Sequence, residues 1–532
     1  MKPLLLLPLI VWASLSLCHA QIVINEIHFD PLEAQLNDEF VELYNAGDET
    51  VDVSAWRLSG AIAYTLPQGT NPLEPGGYLV VALDPASTLF AGMDVLGPWE
   101  GRIDGDGERV VLRDTSGASV DEVDFEVRFP WPIAAAGDGP SMELINPSMG
   151  NNLGSSWRPS SGEATPGKEN SVFATNPPPN IRQFKHSPKE PKPDEEVTIT
   201  IKITDSDGVQ NVVLHYLIVE PGSYIPAYSP LSRSALLADP TAPRRLSSGY
   251  AEGLFTGRWP TLPMDAIDPD GTDEDPDNDD LFTVTLPGQI NRTLVRAYIT
   301  AEDGSGQEVR APLEDDPSLN FAYFVYAGVP DWVASEDSSQ GNGHVYTADL
   351  LQELPTYHLL VRNEDWLECL AYDSRDQHPR SSMSARSAYN WSGTIIYDGQ
   401  VYDNIAFRLR GGNGRYQERG KRSMKFKFNR GYHFAVKDNR GRPYEFKWRV
   451  LTISKMYGNR LGSNTVFGSR RGPGNFGIVD TVNGRLWELF GVPAVRTHWF
   501  HFRVVDDTAE APDQYGGDFY GMGLAQERID VR

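Results

Sequence analysis

The stretch VTITIKIT, residues 197–204, alternates Val197, Ile199, Ile201 and Ile203 with polar residues without a fault. Successive side chains of a strand point to opposite faces, so this segment has one apolar side that must pack on another layer. The same short rhythm recurs in GGYLVVALD (76–84), ERVVLRDTSG (108–117), LFTVTLPGQ (281–289) and LVRAYITAEDGSG (294–306). Turn residues separate the runs, among them Asp205-Ser206-Asp207-Gly208 and Ser116-Gly117. In VDVSAWRLSG, Val51 and Val53 share a side, and Trp56 and Leu58 follow after a one-residue shift that predicts a bulge. From Gln21 to Phe173 no helix-period stretch of useful length occurs. Many short strands with regular turns predict antiparallel β-sandwiches.

The N-terminus, MKPLLLLPLIVWASLSLCHA, has a lysine, a short apolar run and a small residue at Ala20. This is the pattern of a secretory signal peptide with a cut after Ala20, too short for a membrane span. Cys18 would suit a lipoprotein cut, but Leu17 is a poor small residue before it. After cleavage Cys369 stands alone, so no internal disulfide can form and stability must come from buried apolar area. A mature chain of about 510 residues supplies enough for three or four domains. The formal charge of -26 argues against nucleic acid or an anionic membrane as the partner of the whole molecule. A secreted or cell-surface location is expected, with no transmembrane segment.

Against that acidity stands RLRGGNGRYQERGKRSMKFKFNRG, Arg408 to Gly431, with nine Lys or Arg and one Glu up to Arg430. In SMKFKFN, Met424, Phe426 and Phe428 face one side while Lys425 and Lys427 face the other. That alternation explains how the charge is tolerated and predicts a strand that presents its lysines. It leaves three purposes open: a phosphate cradle, a polyanion-binding patch, or a solvated hairpin. The loop SRRGPGNFG (469–477) is a second basic, glycine-rich segment and reads as surface loop. The insertion DAIDPDGTDEDPDNDD (265–280) has nine acidic residues in sixteen. Its aspartates offer a possible Ca²⁺ site across 268–280, against the plainer alternative of a hydrated loop. Asn176-Pro177-Pro178-Pro179-Asn180 is a semi-rigid linker.

Towards the C-terminus, TYHLLVRNEDWLECLAYDS pairs a strand with a short helix carrying Trp366, Leu367 and Leu370. WSGTIIYDGQVYDNIAFRLRG reads as two strands about a turn at Asp398-Gly399. DTVNGRLWELFGVPA (480–494) predicts a helix with an apolar stripe of Val482, Leu486, Leu489 and Phe490, stopped by Gly491 and Pro493. THWFHFRVV returns as a strand, whose His498 and His501 fall on opposite sides and so share no metal.

Three resemblances follow from these motifs. IVINEIHFDP, DEFVELYNAGDETVDVSAWRLSG, LEPGGYLVV, GDGERVVLRDTSG and SSWRPSSGEATPGKEN together resemble a lamin-tail domain of the bacterial exported kind, spanning 21–173. Ala55 stands where these domains usually carry Gly. The resemblance implies an immunoglobulin-like sandwich used for attachment, with Trp56 and Trp157 as packing residues. Residues 181–330 resemble an immunoglobulin or fibronectin-like module carrying the acidic insertion. YHLLVRNEDW, FRLRGGNGRYQERGKRSMKFKFNRG, RLWELFGVPA and GLAQERID resemble the CotH family of atypical, spore-coat-type protein kinases over 355–532. The fold class expected is therefore mainly β, two antiparallel β-sandwich domains followed by the N-terminal part of an α+β protein-kinase-like domain.

The CotH resemblance implies ATP and Mg²⁺ as cofactors, a protein substrate, and a cradle with a glycine loop, a strand cation and a helix glutamate. Gly411, Gly412 and Gly414 fit the loop. Lys421, Arg422, Lys425 and Lys427 compete for the cation, Glu488 fits its partner, and Glu527 falls where a kinase hinge would meet the base. Family members continue past the last strand into the segment with the catalytic and metal-binding aspartates. That departure predicts weak nucleotide binding and no useful phosphoryl transfer by these 532 residues, and it leaves the catalytic residues unassigned. The rival expectation is a non-catalytic surface adhesion or polyanion-binding protein.

Overall fold

The computed structural model describes residues 22–32, 37–137, 139–226, 228–229, 245–246, 259–268, 280–333, 343–371, 390–410, 422–454, 478–508 and 518–528. It is mainly β and divides into two compact units, Met1–Val127 with Ala134–Pro177, and Arg128–Ile133 with Pro178–Arg532.

The first unit is a sandwich of ten strands. In chain order they are β1 (Ile22–His28), β2 (Phe40–Asn45), β3 (Arg57–Gly60), β4 (Ile62–Thr65), β5 (Tyr78–Ala82), β6 (Glu100–Gly101), β7 (Arg109–Arg113), β8 (Ser119–Asp124), β9 (Met142–Leu144) and β10 (Trp157–Pro159). One sheet runs β10-β9-β1-β2-β5 and the other β6-β4-β3-β7-β8, all neighbours antiparallel. Ile24, Val41, Leu43, Val110, Leu112 and Val123 are buried in its core. Trp157 is fully buried, its indole N–H donating to the Asn151 carbonyl at 2.7 Å, which is packing rather than ligand contact.

The predicted bulge at 51–58 is instead a tight turn. The Trp56 amide donates to the Val53 carbonyl at 3.1 Å, and Ala55 sits at φ +61. That left-handed backbone disfavours any residue with a Cβ, which is the physical reason glycine suits the position. Ala55→Gly should stabilise the first unit by up to about 1 kcal/mol, the relief of strain offset by the freer unfolded chain. A thermal melt checks it.

Every residue of β1 is buried, so both its faces are covered. Across one of them run three glutamates in register, with Glu26 opposite both Glu42 and Glu143. All three are fully buried. The segment from Thr165 to Val172 lies over them and supplies most of their hydrogen bonds, with Ser141 donating to Glu26 and Asn25 to Glu42 as well. The Thr165 amide donates to Glu26 at 2.9 Å, the Gly167 amide to Glu42 at 2.6 Å, and Ser171 Oγ to Glu143 at 2.8 Å. This is what the motif SSGEATPGKEN does: it clasps a buried carboxyl row. Burial and the neighbouring glutamates push Glu26 up to about 8, and burial pushes Glu42 up to about 7.

The second unit holds a second sandwich and a barrel. The sandwich strands are β11 (Asn180–Ser187), β12 (Val197–Thr204) and β13 (Val209–Val219), then after a short ribbon of β14 (Tyr228–Ser229) and β15 (Arg245–Leu246), β16 (Thr261–Pro263), β17 (Asp265–Ala266), β18 (Leu281–Leu286), β19 (Leu294–Asp303), β20 (Glu308–Ala311) and β21 (Phe321–Phe324). Sheet β11-β12-β18-β17 faces sheet β16-β13-β19-β20, with β21 also on β19. The β12 alternation reads as predicted: Val197, Ile199, Ile201 and Ile203 are buried and the residues between them half-buried. Of the acidic insertion, 269–279 lies outside the described residues, so the possible Ca²⁺ site does too.

After a ribbon of β22 (Trp332–Val333) with β23 (Val345–Tyr346) and a turn of helix α1 (Ala348–Leu351), the chain enters the barrel. Its elements are β24 (Thr356–Leu360), helix α2 (Asn363–Ala371), β25 (Trp391–Tyr397), β26 (Gln400–Leu409), β27 (Met424–Lys427), β28 (Val450–Ser454), helix α3 (Ile478–Leu489), β29 (Thr497–Val505) and β30 (Asp518–Glu527). The strands close in the order β24-β25-β26-β27-β28-β30-β29. Closure comes from one parallel pairing, Thr356 to His501 through Leu360 to Val505. Asp398 and Gly399 form the two-residue hairpin turn at φ +53 and +69, both positive as a type I′ turn demands. Tyr357, Phe407, Phe426, Leu451 and Phe500 fill the interior, and α2 adds Trp366 and Cys369. His498 points into this interior, while His501 Nδ1 donates to the Leu351 carbonyl at 2.6 Å. The α3 stripe is not core: Val482, Leu486, Leu489 and Phe490 are all exposed, Phe490 at 81%. Gly491 ends the helix at φ +73, with the Val492 amide returning to the Trp487 carbonyl at 2.9 Å.

Candidate phosphate-binding site on the barrel

Strand alternation sorts the basic residues into two sets. Phe407 pairs Phe426, and both side chains are buried in the barrel, so Arg408, Lys425 and Lys427 turn outward. Arg408 stands directly opposite Lys425 on β26. On β28 the residue opposite Lys425 is Thr452, itself opposite Gln526 on β30. The outer row is therefore Arg408, Lys425, Thr452, Gln526, with the Arg410 guanidinium donating to Gln526 Oε1 at 2.8 Å.

The structure corrects one expectation here. The strand does not present both lysines: Lys427 is exposed, but Lys425 is only 6% exposed. Both lysines lie between β26 and β28, but Lys427 is the last residue of β27 and Lys425 is not.

The other expected residues fall elsewhere. Arg422 lies beside Tyr520 and Cys369 of the barrel interior, its amide donating to the Tyr520 hydroxyl at 2.7 Å. Burial lowers its guanidinium from the usual arginine range, against the opposing pull of Tyr520 and Cys369. Glu488, on α3, accepts from Arg485 at 2.9 Å. Glu527 is paired with Leu451, an interior residue, and so lies on the face opposite Lys425. It is 3.8 Å from the Arg496 guanidinium. Burial, then the charge of Asp438 and to a lesser degree those of Glu488 and Glu527, raises the half-buried Tyr444 hydroxyl, against the pull of Arg496. Gly411, Gly412, Gly414 and Lys421 lie outside the described residues, as does the loop 469–477. The hairpin loop leaves and rejoins the barrel where the Arg410 amide donates to the Ser423 carbonyl at 2.8 Å. Among the described residues no group of three or more His, Cys, Asp or Glu side chains is placed to hold a metal ion.

Sequence reasoning missed a buried ionic network elsewhere in this unit. Arg296 of β19 is fully buried and grips Asp403 of β26 with two bonds, Nε at 2.7 Å and Nη2 at 3.0 Å. Asn320 Nδ2 and the Thr394 hydroxyl also donate to Asp403, and Arg296 Nη1 donates to the Ile225 carbonyl. Burial alone would raise the Asp403 carboxyl, but the Arg296 charge and these bonds outweigh it and hold it below its usual range. Its sequence signal was the Asp403-Asn404 pair in the middle of the strand QVYDNIAFRL.

The comparisons with known proteins bear on the first unit. Residues 18–126 match the family model of the lamin tail domain. The lamin tail domain match takes in β1 to β8 and stops before β9, β10 and the clasp of the carboxyl row. It supports a surface or attachment role for that sandwich. No curated protein matches the chain. Among solved structures, a mutant of Salmonella alpha-2-macroglobulin is similar over 59% of this chain and 25% of that one, at 10% identity and a TM-score of 0.18. The chain thus spans a quarter of that protein's length, and so low a score carries no argument. Among the described residues no helix is long and apolar enough to cross a membrane.

Proposed function

We propose that this is an exported attachment protein, its lamin tail domain engaging a surface or extracellular partner. Its barrel, a CotH-type kinase-like domain, holds the phosphates of a nucleotide. The observation that carries the reading is Lys425, buried on the outer barrel face and directly opposite Arg408. Two cations fixed by sheet register form a rigid site for phosphate oxygens, with the first loop glycine, Gly411, three residues after Arg408. The full reading adds protein phosphorylation with ATP and Mg²⁺. The described residues suit the phosphates but offer no acidic cluster for Mg²⁺, so no step here depends on that ion.

A second reading is a non-catalytic polyanion binder. It is favoured by the places of Glu488 on Arg485 and Glu527 on the opposite sheet face, away from Lys425. Calorimetric titration of the whole chain separates the two. On the nucleotide reading ATP binds, a long acidic polymer competes poorly, and Lys425→Ala weakens ATP roughly tenfold to a hundredfold, the worth of a charged hydrogen bond. On the polymer reading the polymer binds far more tightly than ATP, and its affinity falls steeply with salt.

A further inference from the structure

The second unit also contains a cleft that the phosphate reading does not use. It has a volume of about 400 Å³ and lies between the end of β21, the segment Glu190–Lys192 and the barrel strands β24 and β25. Small-molecule sites are typically about 300–1,000 Å³, largely apolar, with a few polar groups that fix orientation. Phe324, Tyr326, Leu354 and Ile396 supply the apolar walls. The Phe324 and Tyr326 rings stack at 5.5 Å, Phe324 buried behind the half-buried Tyr326 ring that lines the cleft.

His358 lines the same cleft. It is 7% exposed, and its Nε2 has no hydrogen-bond partner. A buried polar atom left unsatisfied costs about 1–3 kcal/mol, so a ligand hydroxyl that reached it would restore that loss. Burial, with the Arg503 and Arg292 charges, pushes the imidazole down to about 3. It is therefore neutral at any working pH, one nitrogen a donor and the other an acceptor.

The rim does not select an anion. Lys437 and Lys189 lie 2.8 and 3.7 Å from Asp398, and Lys192 Nζ donates to the Tyr326 carbonyl at 3.4 Å. These positive heads already face protein oxygens. Asp398 has further lone pairs, which hydroxyl donors can use. The set is thus an aromatic platform, a neutral imidazole and a carboxylate acceptor. An aromatic ring packs against the C–H face of a sugar, while the polar groups meet its hydroxyls.

We propose that this cleft is a binding site for a neutral pyranose, one or two sugar rings in length. The proposal does not rest on the phosphate reading, and Lys425→Ala should leave it unchanged. Ligand-observed saturation-transfer NMR on the whole chain tests it. The probes are methyl glycosides of glucose, galactose and N-acetylglucosamine, and cellobiose, with glucuronate and p-cresol as charged and purely aromatic controls. Transfer to at least one neutral glycoside is expected, with weaker response from both controls. His358→Phe keeps an aromatic ring and should weaken binding at least tenfold. Gln352→Trp, at an exposed position on the cleft wall, should abolish it without touching His358. Thermal melts establish that each variant is folded, and if His358→Phe is not, Gln352→Trp decides. Absence of transfer to every neutral sugar, equal response from either control, or binding that survives a folded variant overturns the proposal.

Discussion

Asp403→Ala should destabilise the second unit by about 3–5 kcal/mol, the usual cost of stripping one partner from a buried ion pair. Arg296 would be left with its charge in a site with no exposure to water. The loss should be far smaller when both partners are replaced by apolar residues of similar volume, as in Arg296→Met with Asp403→Leu. The contrast between single and double variants identifies the ion pair as the cause. The pair joins β19 of the sandwich to β26 of the barrel, and the apolar cluster of Val219, Leu294, Leu360, Val401 and Val505 lies between the same layers. Guanidinium melts followed by near-ultraviolet circular dichroism should show one transition for this unit in the native chain. In Asp403→Ala the transition should move to lower denaturant and broaden or split. A shift corresponding to less than about 1 kcal/mol would mean that water reaches the pair.

The second large effect is a dependence on pH in the first unit. Glu26 stands at about 8 and Glu42 at about 7 when folded, against 4.5 for the free side chain. A carboxyl raised on folding contributes stability that is whole below the unfolded value. That stability is lost as pH climbs through the folded value. The first unit should therefore be most stable near pH 4–5 and weaken towards pH 8, opposite in sign to a protein held by salt-bridged carboxylates. The drop is on the order of several kcal/mol. Glu26→Gln keeps the shape and removes its own titration, so it should make the profile shallower, the remaining slope coming from Glu42, and leave the clasp of Thr165 in place. Thermal melts from pH 5 to pH 9 measure it. A Tm that rises with pH over that range would contradict the burial of this row.

How much of this was legible in the sequence depended on the range of the interaction. β12 falls on the eight residues whose alternation defined it, and β29 on THWFHFRVV, because pleat and apolar face are written in adjacent residues. The Asp398-Gly399 turn was equally local. Closure of the barrel was not legible. It depends on β24 pairing with β29 across more than a hundred residues, and nothing in either strand names its partner. The carboxyl row left a trace, Glu26 and Glu42 inside apolar runs, but which strands aligned them was again a matter of register. In the candidate site, alternation placed Lys425 and Lys427 on one face correctly. It could not tell that one is buried and the other exposed, since that depends on what stands on neighbouring strands. Glu488 and Glu527 were linked to the lysines only through resemblance, and the register puts Glu527 on the other face.

Phosphorus-31 NMR of ATP titrated with the whole chain probes the central idea, that sheet register fixes Lys425 and Arg408 as a seat for phosphate. The β and γ resonances should broaden and shift with added protein, and Lys425→Ala should abolish most of that change while leaving the melting profile intact. Resonances that stay sharp with the native chain, or that broaden equally with the folded variant, would show that the basic row serves something other than a nucleotide's phosphates.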